Sequence, residues 1–141
     1  MTSDPILRES LSFRLMDGSL GDEFLEMVRA RLVDDYPRQV RACLQALNEE
    51  DVWWRPNDQA NAVGNLVLHV AGSNRFYLDH VIGGVPDVRD RDAEFANKNI
   101  TRSQMLADID ETLDVVRSTL AGLTENDFDK PYPIEVFGHP M

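Results

Sequence analysis

The chain has 141 residues, 43% of them hydrophobic and 28% charged, which is the composition of a globular protein of one domain with a buried core. Its net charge of −11, with no local cluster of Lys and Arg, disfavours binding to nucleic acids and to anionic lipid. No apolar run approaches the ~20 residues that cross a bilayer. We predict one domain over residues 1–141, with neither a nucleic-acid nor a membrane partner.

The N-terminus lacks the apolar core of a signal peptide, so the expected location is cytoplasmic. Cys43 is the single cysteine and cannot form an internal disulfide, which agrees with a reducing compartment. Its position beside an apolar helical stripe predicts a small buried hydrophobe rather than a reactive thiol.

Residues 1–20 have no sustained periodicity and predict an N-terminal arm. The first long helix is expected to start near Asp22, which can cap it. Pro37 lies within this helix and is expected to kink it or split it in two. Apolar residues spaced by three and four predict its buried stripe: Phe24, Val28, Leu32, Tyr36, Val40, Leu44 and Leu47.

A loop follows, in which Trp53 and Trp54 are expected to hold the first and second helices together. The second helix is predicted to start with Asn61 as its N-cap and to run to about Ile82, before Gly83-Gly84. Its predicted core stripe is Val63, Val67, Val70, Tyr77 and Val81. His69 is then placed at the border of the buried face, where a pocket would open.

Residues 84–100 form a second connection with alternating charges, which is typical of a solvated surface loop. The alternative is that Arg89, Arg91 or Glu94 folds back over the site. Thr101 and Gln104 then form a capping box that starts a third helix, and Gly122 is expected to stop it.

The prolines of the tail predict an extended segment or a short strand. Residues 123–128 weakly repeat residues 47–52, the end of the first helix with its acidic turn. By analogy the tail should lead to a fourth helix, so the chain is expected to be either a fragment of a four-helix bundle or a bundle that has lost its last helix. In the second case an uncovered apolar groove would favour a homodimer.

Metal binding is the best-supported chemistry, but the residues alone supply an incomplete site. The three histidines are His69, His80 and His139. His69 and His80 lie ~16 Å apart along one helix and cannot share an ion. The sequence contains no G-x-S-x-G, G-x-G-x-x-G or Walker motif, so neither nucleophilic catalysis nor nucleotide binding has support.

Three segments together resemble the DinB-like superfamily of metal-dependent four-helix-bundle proteins, in an uncharacterised branch. They are WWRP at 53–56 with NAVGNLVLHVAGS at 61–73, RDRDAEF at 89–95, and EVFGHP at 135–140. The resemblance runs from about residue 24 to the end of the sequence.

This resemblance implies an all-α, up-down-down-up bundle, commonly dimeric, here with three long helices, an extended tail and no fourth helix. It also implies a divalent metal, zinc or nickel, held by three histidines. One of them matches His69; the other two form an H-x-x-x-H pair in the fourth helix. The metal could therefore be absent from this chain.

The activities that the resemblance suggests are thiol-dependent transfer, with a thiol such as bacillithiol or mycothiol, and a hydrolase-like reaction. Whether the chain is an enzyme stays open. One alternative is a non-enzymatic dimeric bundle; another is a module for a small ligand. The candidate pocket is lined by Trp53, Trp54, Asn65, Ser73, Phe76 and Tyr77.

Overall fold

The computed structural model describes residues 18–136 and 138–140, with only the backbone at positions 136 and 140. Three long helices dominate it. The first combines α1 (Leu20–Arg29), a π-helical segment (Ala30–Asp35) and α2 (Tyr36–Ala46). The second combines α4 (Val63–Asn74) and another π-helical segment (Arg75–Ile82), and the third is α6 (Arg102–Gly122). The all-α prediction is thus confirmed.

Short elements connect these helices. They are α3 (Glu49–Val52), α5 (Arg91–Ala96) and a 3₁₀ turn (Glu125–Asp127), followed by an antiparallel pair of two-residue strands, β1 (Glu135–Val136) and β2 (His139–Pro140). The tail is therefore extended, as predicted. Most of the predicted N-terminal arm, residues 1–17, lies outside the described residues, as does Phe137.

The helix boundaries correct two expected caps. Ser19, not Asp22, caps the first helix, and its Oγ accepts from the Asp22 amide at 3.1 Å. Ala62, not Asn61, is the N-cap residue of α4, and its amide donates to the Asn65 side chain at 3.2 Å. The Thr101–Gln104 capping box of α6 is confirmed.

Pro37 does not split the first helix. The π-helical segment directly precedes α2, and there the Tyr36 amide donates to the carbonyl of Arg31, five residues back. A wider turn of this kind accommodates a proline that cannot donate to its own preceding turn. The first long helix consequently stays continuous from Leu20 to Ala46.

The relative directions of the helices follow from two core clusters. In the first, Leu44 of α2 and Val67 of α4 pack with Met105, near the start of α6. In the second, Val28 of α1 and Leu78 pack with residues near the end of α6. The first helix therefore runs opposite to the other two, and the second and third helices are parallel.

The buried face of the second helix differs from the predicted stripe. Its buried residues are Gly64, Asn65, Val67, Ala71, Leu78 and Val81. Val70 and Tyr77 are 48% and 43% exposed, because no described element covers their side of the helix. The π-helical segment also shifts the register after Asn74, so a fixed rotation per residue misplaces Tyr77.

Similar deviations occur in the first helix. Phe24 and Tyr36, both assigned to the buried stripe, are 49% and 51% exposed. Cys43 is exposed and not a buried hydrophobe, since the neighbouring Leu44 takes the core position. The two segments of the internal repeat each form a short helical turn, α3 after Asn48 and the 3₁₀ turn after Thr124, and the repeat itself stays a prediction.

Trp53 holds the base of the bundle together. Its Nε1 donates to the carbonyl of Ile100 at 3.0 Å, and its ring packs directly on Gly64. A Cβ at Gly64 would lie 2.9 Å from two ring atoms of Trp53 and 3.0 Å from the Met105 side chain. The structural role predicted for this tryptophan thus agrees with its contacts, whereas Trp54 is 65% exposed.

We expect Gly64→Ala to lower the free energy of unfolding by about 1–3 kcal/mol, because the added methyl group overpacks this contact. The matched control is Gly122→Ala, where a Cβ would meet nothing within 4 Å. That change should be neutral or stabilising by up to about 1 kcal/mol. Urea unfolding followed by far-UV circular dichroism measures both. Equal stability of Gly64→Ala and the wild type would contradict the close contact.

Candidate functional site

The connection between the second and third helices runs back along the second helix. It starts at its C-terminal end, where His80 Nδ1 lies 2.7 Å from the carbonyl of Val85. It ends at the base of the bundle, where Ile100 accepts the hydrogen bond from Trp53. Between these points α5 packs on α4, which places this connection against the predicted pocket.

Asn65 fixes α5 in this position. Its side chain is fully buried, and its Nδ2 lies within hydrogen-bonding distance of the carbonyls of Glu94, Phe95 and Asn97, at 2.9, 3.2 and 2.9 Å. Its Oδ1 accepts from Arg55 Nη2 at 2.7 Å as well as from the Ala62 amide. One amide therefore binds the start of α4, the preceding loop and the end of α5 to each other.

Above this amide, Glu94 reaches His69. The Glu94 Oε2 lies 3.0 Å from His69 Nδ1, and the ring of Phe95 lies 5.0 Å from the imidazole, centroid to centroid. Arg89 binds the same carboxylate with two nitrogens, Nε to Oε1 at 2.6 Å and Nη2 to Oε2 at 2.9 Å. The structure thus has Arg89 and Glu94 folded back onto His69, the alternative that the sequence left open.

The carboxylate stays ionised in this buried position. Burial alone would raise the pKa of Glu94, but hydrogen bonds from Arg89 and His69 outweigh it, and the net pKa is lowered. The pKa of Arg89 is raised, chiefly by its hydrogen bond to Glu94 and against the effect of burial. Glu94 and Arg89 therefore form a charged pair whose two charges cancel next to His69.

The tautomer of His69 follows from its neighbours. Both Glu94 Oε2 and Arg89 Nη2 lie near Nδ1, at 3.0 and 3.2 Å. A carboxylate is the strongest acceptor available, and it has enough lone pairs for three donors. We therefore assign the Nδ1 proton to the hydrogen bond with Glu94, which leaves the lone pair on Nε2 of a side chain that is 34% exposed.

Gly72 allows this arrangement. It lies one turn after His69, and a Cβ there would overlap Glu94 Oε1 and lie 2.9 Å from Cδ of the same carboxyl group. Any side chain at position 72 would push Glu94 away from the helix. Neither Gly72 nor Arg55 was singled out from the sequence, since a glycine inside a helical pattern carries no local sign of a tertiary contact.

The six predicted pocket residues do not line one cavity. Asn65 is the buried amide described above, and Ser73 is half-buried on α4. Phe76 lines a cavity beside α5 and packs edge-on against Tyr77, with ring centroids 5.2 Å apart. Trp53 belongs to the core at the other end of α4, and Trp54 is exposed.

His69 is the one predicted metal ligand, and the described residues do not complete a site around it. Within residues 18–136 and 138–140, no three His, Cys, Asp or Glu side chains are grouped closely enough to hold a metal ion. In the same part of the chain, no helix is long and apolar enough to cross a membrane.

Comparison with known families gives one match. A family model described as "protein of unknown function (DUF1572)" matches residues 19–140, so the chain belongs to this family. No curated protein and no solved structure matches the chain.

We expect Glu94→Gln to lower the free energy of unfolding by about 3 kcal/mol near neutral pH, because Arg89 is left as a buried charge without its partner. Since the pKa of Glu94 is lowered on folding, its ionisation stabilises the protein above about pH 4.3, the value for an unfolded chain. That contribution is lost as the pH falls through the folded pKa.

The difference between wild type and Glu94→Gln should therefore shrink in acid, and urea unfolding at several pH values measures it. Asp92→Asn, on an exposed residue of the same short helix, is the control and should cost less than about 0.5 kcal/mol. A difference that does not change with pH would contradict an ionised Glu94.

We further expect Gly72→Ala to break the contact between Glu94 and His69. The Nδ1 proton of His69 should lose its hydrogen-bonded NMR shift, and stability should fall by about 1–3 kcal/mol. Ser73→Ala, the next position along α4, is the control and should retain the signal. An unchanged His69 spectrum in Gly72→Ala would show that Glu94 does not depend on the missing Cβ.

Proposed function

We propose, from the membership in this family of unknown function, that the protein is a DinB-like protein in which His69 is one ligand of a divalent metal. The observation that carries the proposal is the buried Glu94 carboxylate on His69 Nδ1. Histidines that bind metals nearly always donate their other ring proton to such a carboxylate or to a carbonyl, which fixes the ring and raises the basicity of the ligand nitrogen.

The side chains present fit this role for one ligand position. A neutral imidazole with Nε2 unprotonated suits zinc and nickel, the ions that the resemblance suggests. Glu94 holds the ring in one tautomer, Arg89 keeps Glu94 ionised, and Phe95 packs against the imidazole. A bound divalent ion would supply Lewis acidity and lower the pKa of a thiol or a water molecule.

The other ligands would come from a further helix. Leu66 and Val70 of α4 and Tyr77 of the following π-helical segment are 48%, 48% and 43% exposed. By helical spacing they share an apolar face that lies beside His69. A helix packed on this face would bury them and approach His69 Nε2. The fourth helix of a DinB-like bundle, with an H-x-x-x-H pair, meets this requirement. Thiol-dependent transfer or a hydrolase-like reaction is the activity that we propose for the completed site.

A second candidate is a non-enzymatic homodimer that buries the same face without a metal. The observation in its favour is the exposure of Tyr36 on the first helix, beside Val70, along one apolar groove. The two candidates differ in one property. The metal-binding protein needs Nε2 of His69 to accept an ion, whereas the dimer needs only the apolar surface.

Titration of the full chain with Ni²⁺, followed by NMR of the histidine side chains, tests the first candidate. We expect the paramagnetic ion to broaden His69 at concentrations about tenfold below those that broaden His80. The Nδ1 of His80 meets a neutral backbone carbonyl, which raises the basicity of the other ring nitrogen less than the Glu94 carboxylate does at His69. Glu94→Gln should reduce this preference about tenfold or more.

His69→Ala with His80 left intact is the matched control. Equal broadening of His69 and His80 would overturn the metal proposal. Sedimentation of the same samples addresses the second candidate, and a dimer that forms without metal and is weakened by Val70→Glu would favour it.

A further inference from the structure

A cavity of about 460 Å³ is lined in part by Arg89 and Glu94 but not by His69. Its walls are the end of the second long helix, the returning connection with α5, and the start of α6. This volume falls within the range of small-molecule sites in proteins. Neither the family description nor the proposed metal role assigns a function to it.

The lining combines an apolar floor with polar walls. Leu68 and Phe76 of the second helix and Ile100 before α6 contribute to the floor. All three are partly exposed, as expected for the lining of an open site, and Ile100 also packs against the first core cluster. The floor can thus accept the hydrocarbon or aromatic part of a ligand.

The two arginines of the cavity are already neutralised. Arg75 Nη1 lies 2.6 Å from Asp108 Oδ1, and its Nη2 lies 3.7 Å from Glu111. Arg89 is bound by Glu94 through two nitrogens. An anionic ligand would have to compete with these internal carboxylates, so the cavity is poorly suited to phosphates or carboxylic acids.

Three further carboxylates line the cavity, those of Asp79, Asp87 and Asp90. Asp87 and Asp90 each accept one backbone amide, at 2.9 and 3.0 Å. Asp79 is half-buried on the second helix, and among the described residues its side chain has neither a hydrogen bond nor a cationic partner. The lining thus holds five carboxylates against two arginines.

We propose that this cavity binds a small organic cation, a protonated amine attached to an aromatic or aliphatic group. The apolar part would lie on Phe76 and Leu68, and the ammonium group would face Asp79, with Asp87 and Asp90 at the rim. The concave shape accommodates a small molecule, the apolar floor suits its aromatic or aliphatic group, and the excess of carboxylates suits its ammonium group. The proposal does not depend on metal binding at His69.

The test uses three probes of one shape that differ in charge: phenethylamine, 2-phenylethanol and phenylacetate. NMR titration of the full chain should show saturable shifts for phenethylamine, centred on Leu68, Phe76 and Ile100. We expect phenethylamine to bind about tenfold more tightly than the neutral alcohol, because several carboxylates attract its charge. Phenylacetate should not saturate.

Asp79→Asn should weaken phenethylamine binding about threefold to fivefold and leave the alcohol unaffected. The matched control is Asp92→Asn, which removes the same charge from α5 outside the cavity lining and should change neither affinity. Both aspartates are free of described salt bridges, so both variants should fold.

Equal binding of the amine and the alcohol, shifts spread over the whole acidic surface, or equal effects of the two variants would overturn the proposal. These results are separable from the metal test, since that test monitors His69 and this one monitors the cavity lining, which does not include His69. Loss of Ni²⁺ preference at His69 with intact amine binding would reject only the metal role.

Discussion

The parallel course of the second and third long helices determines where the candidate site forms. Parallel neighbours cannot be joined by a tight turn, because the chain must return the whole length of a helix, about 30 Å for twenty residues, before the next one begins. The returning segment lies against the second long helix and contacts in turn its C-terminal end, Gly72, His69 and Asn65. Arg89 and Glu94 meet His69 because they lie midway along this path. The cavity beside α5 is the space that the same path encloses before it reaches α6.

Polar contacts hold the returning segment in place. A short helix of six residues has little stability of its own, and α5 buries only Glu94 completely. Its position therefore depends on the Asn65 amide, which contacts two of its carbonyls and that of the following Asn97, and on the ion pair between Arg89 and Glu94. Buried polar groups are costly unless every one has a partner, and no buried side-chain nitrogen or oxygen in the described residues lacks one. The directional hydrogen bonds of this network thus fix α5 in one position, which an apolar contact alone would not do.

Local signals in the sequence predicted the helices and most of their ends, but not the contacts of Glu94. The Thr101–Gln104 capping box predicted the start of α6, and Gly83 and Gly84 predicted the end of the second helix. Both signals can be recognised because capping contacts form between residues that are close in the sequence. Periodicity failed for Val70 and Tyr77, since it assumes a covered face and a constant helical turn. Asp92 and Glu94 are both acidic residues of the same alternating run, so the sequence does not distinguish them. The tertiary path of the chain decides that Glu94 is buried and Asp92 is exposed. The up-down-down order implied by the resemblance could have indicated this path.

The chemistry of Glu94 is limited by the bonds that it already makes. Its Oε1 accepts from Arg89 Nε, and its Oε2 accepts from Arg89 Nη2 and His69 Nδ1. A carboxylate with three donors and a lowered pKa is a poor general base, because protonating it would break the pair with Arg89. It is equally unsuited to bind a metal directly while its oxygens are occupied. In the proposed metal site Glu94 would therefore position His69. Both Glu94 and Arg89 approach the imidazole at Nδ1, so this pair makes no contact with Nε2.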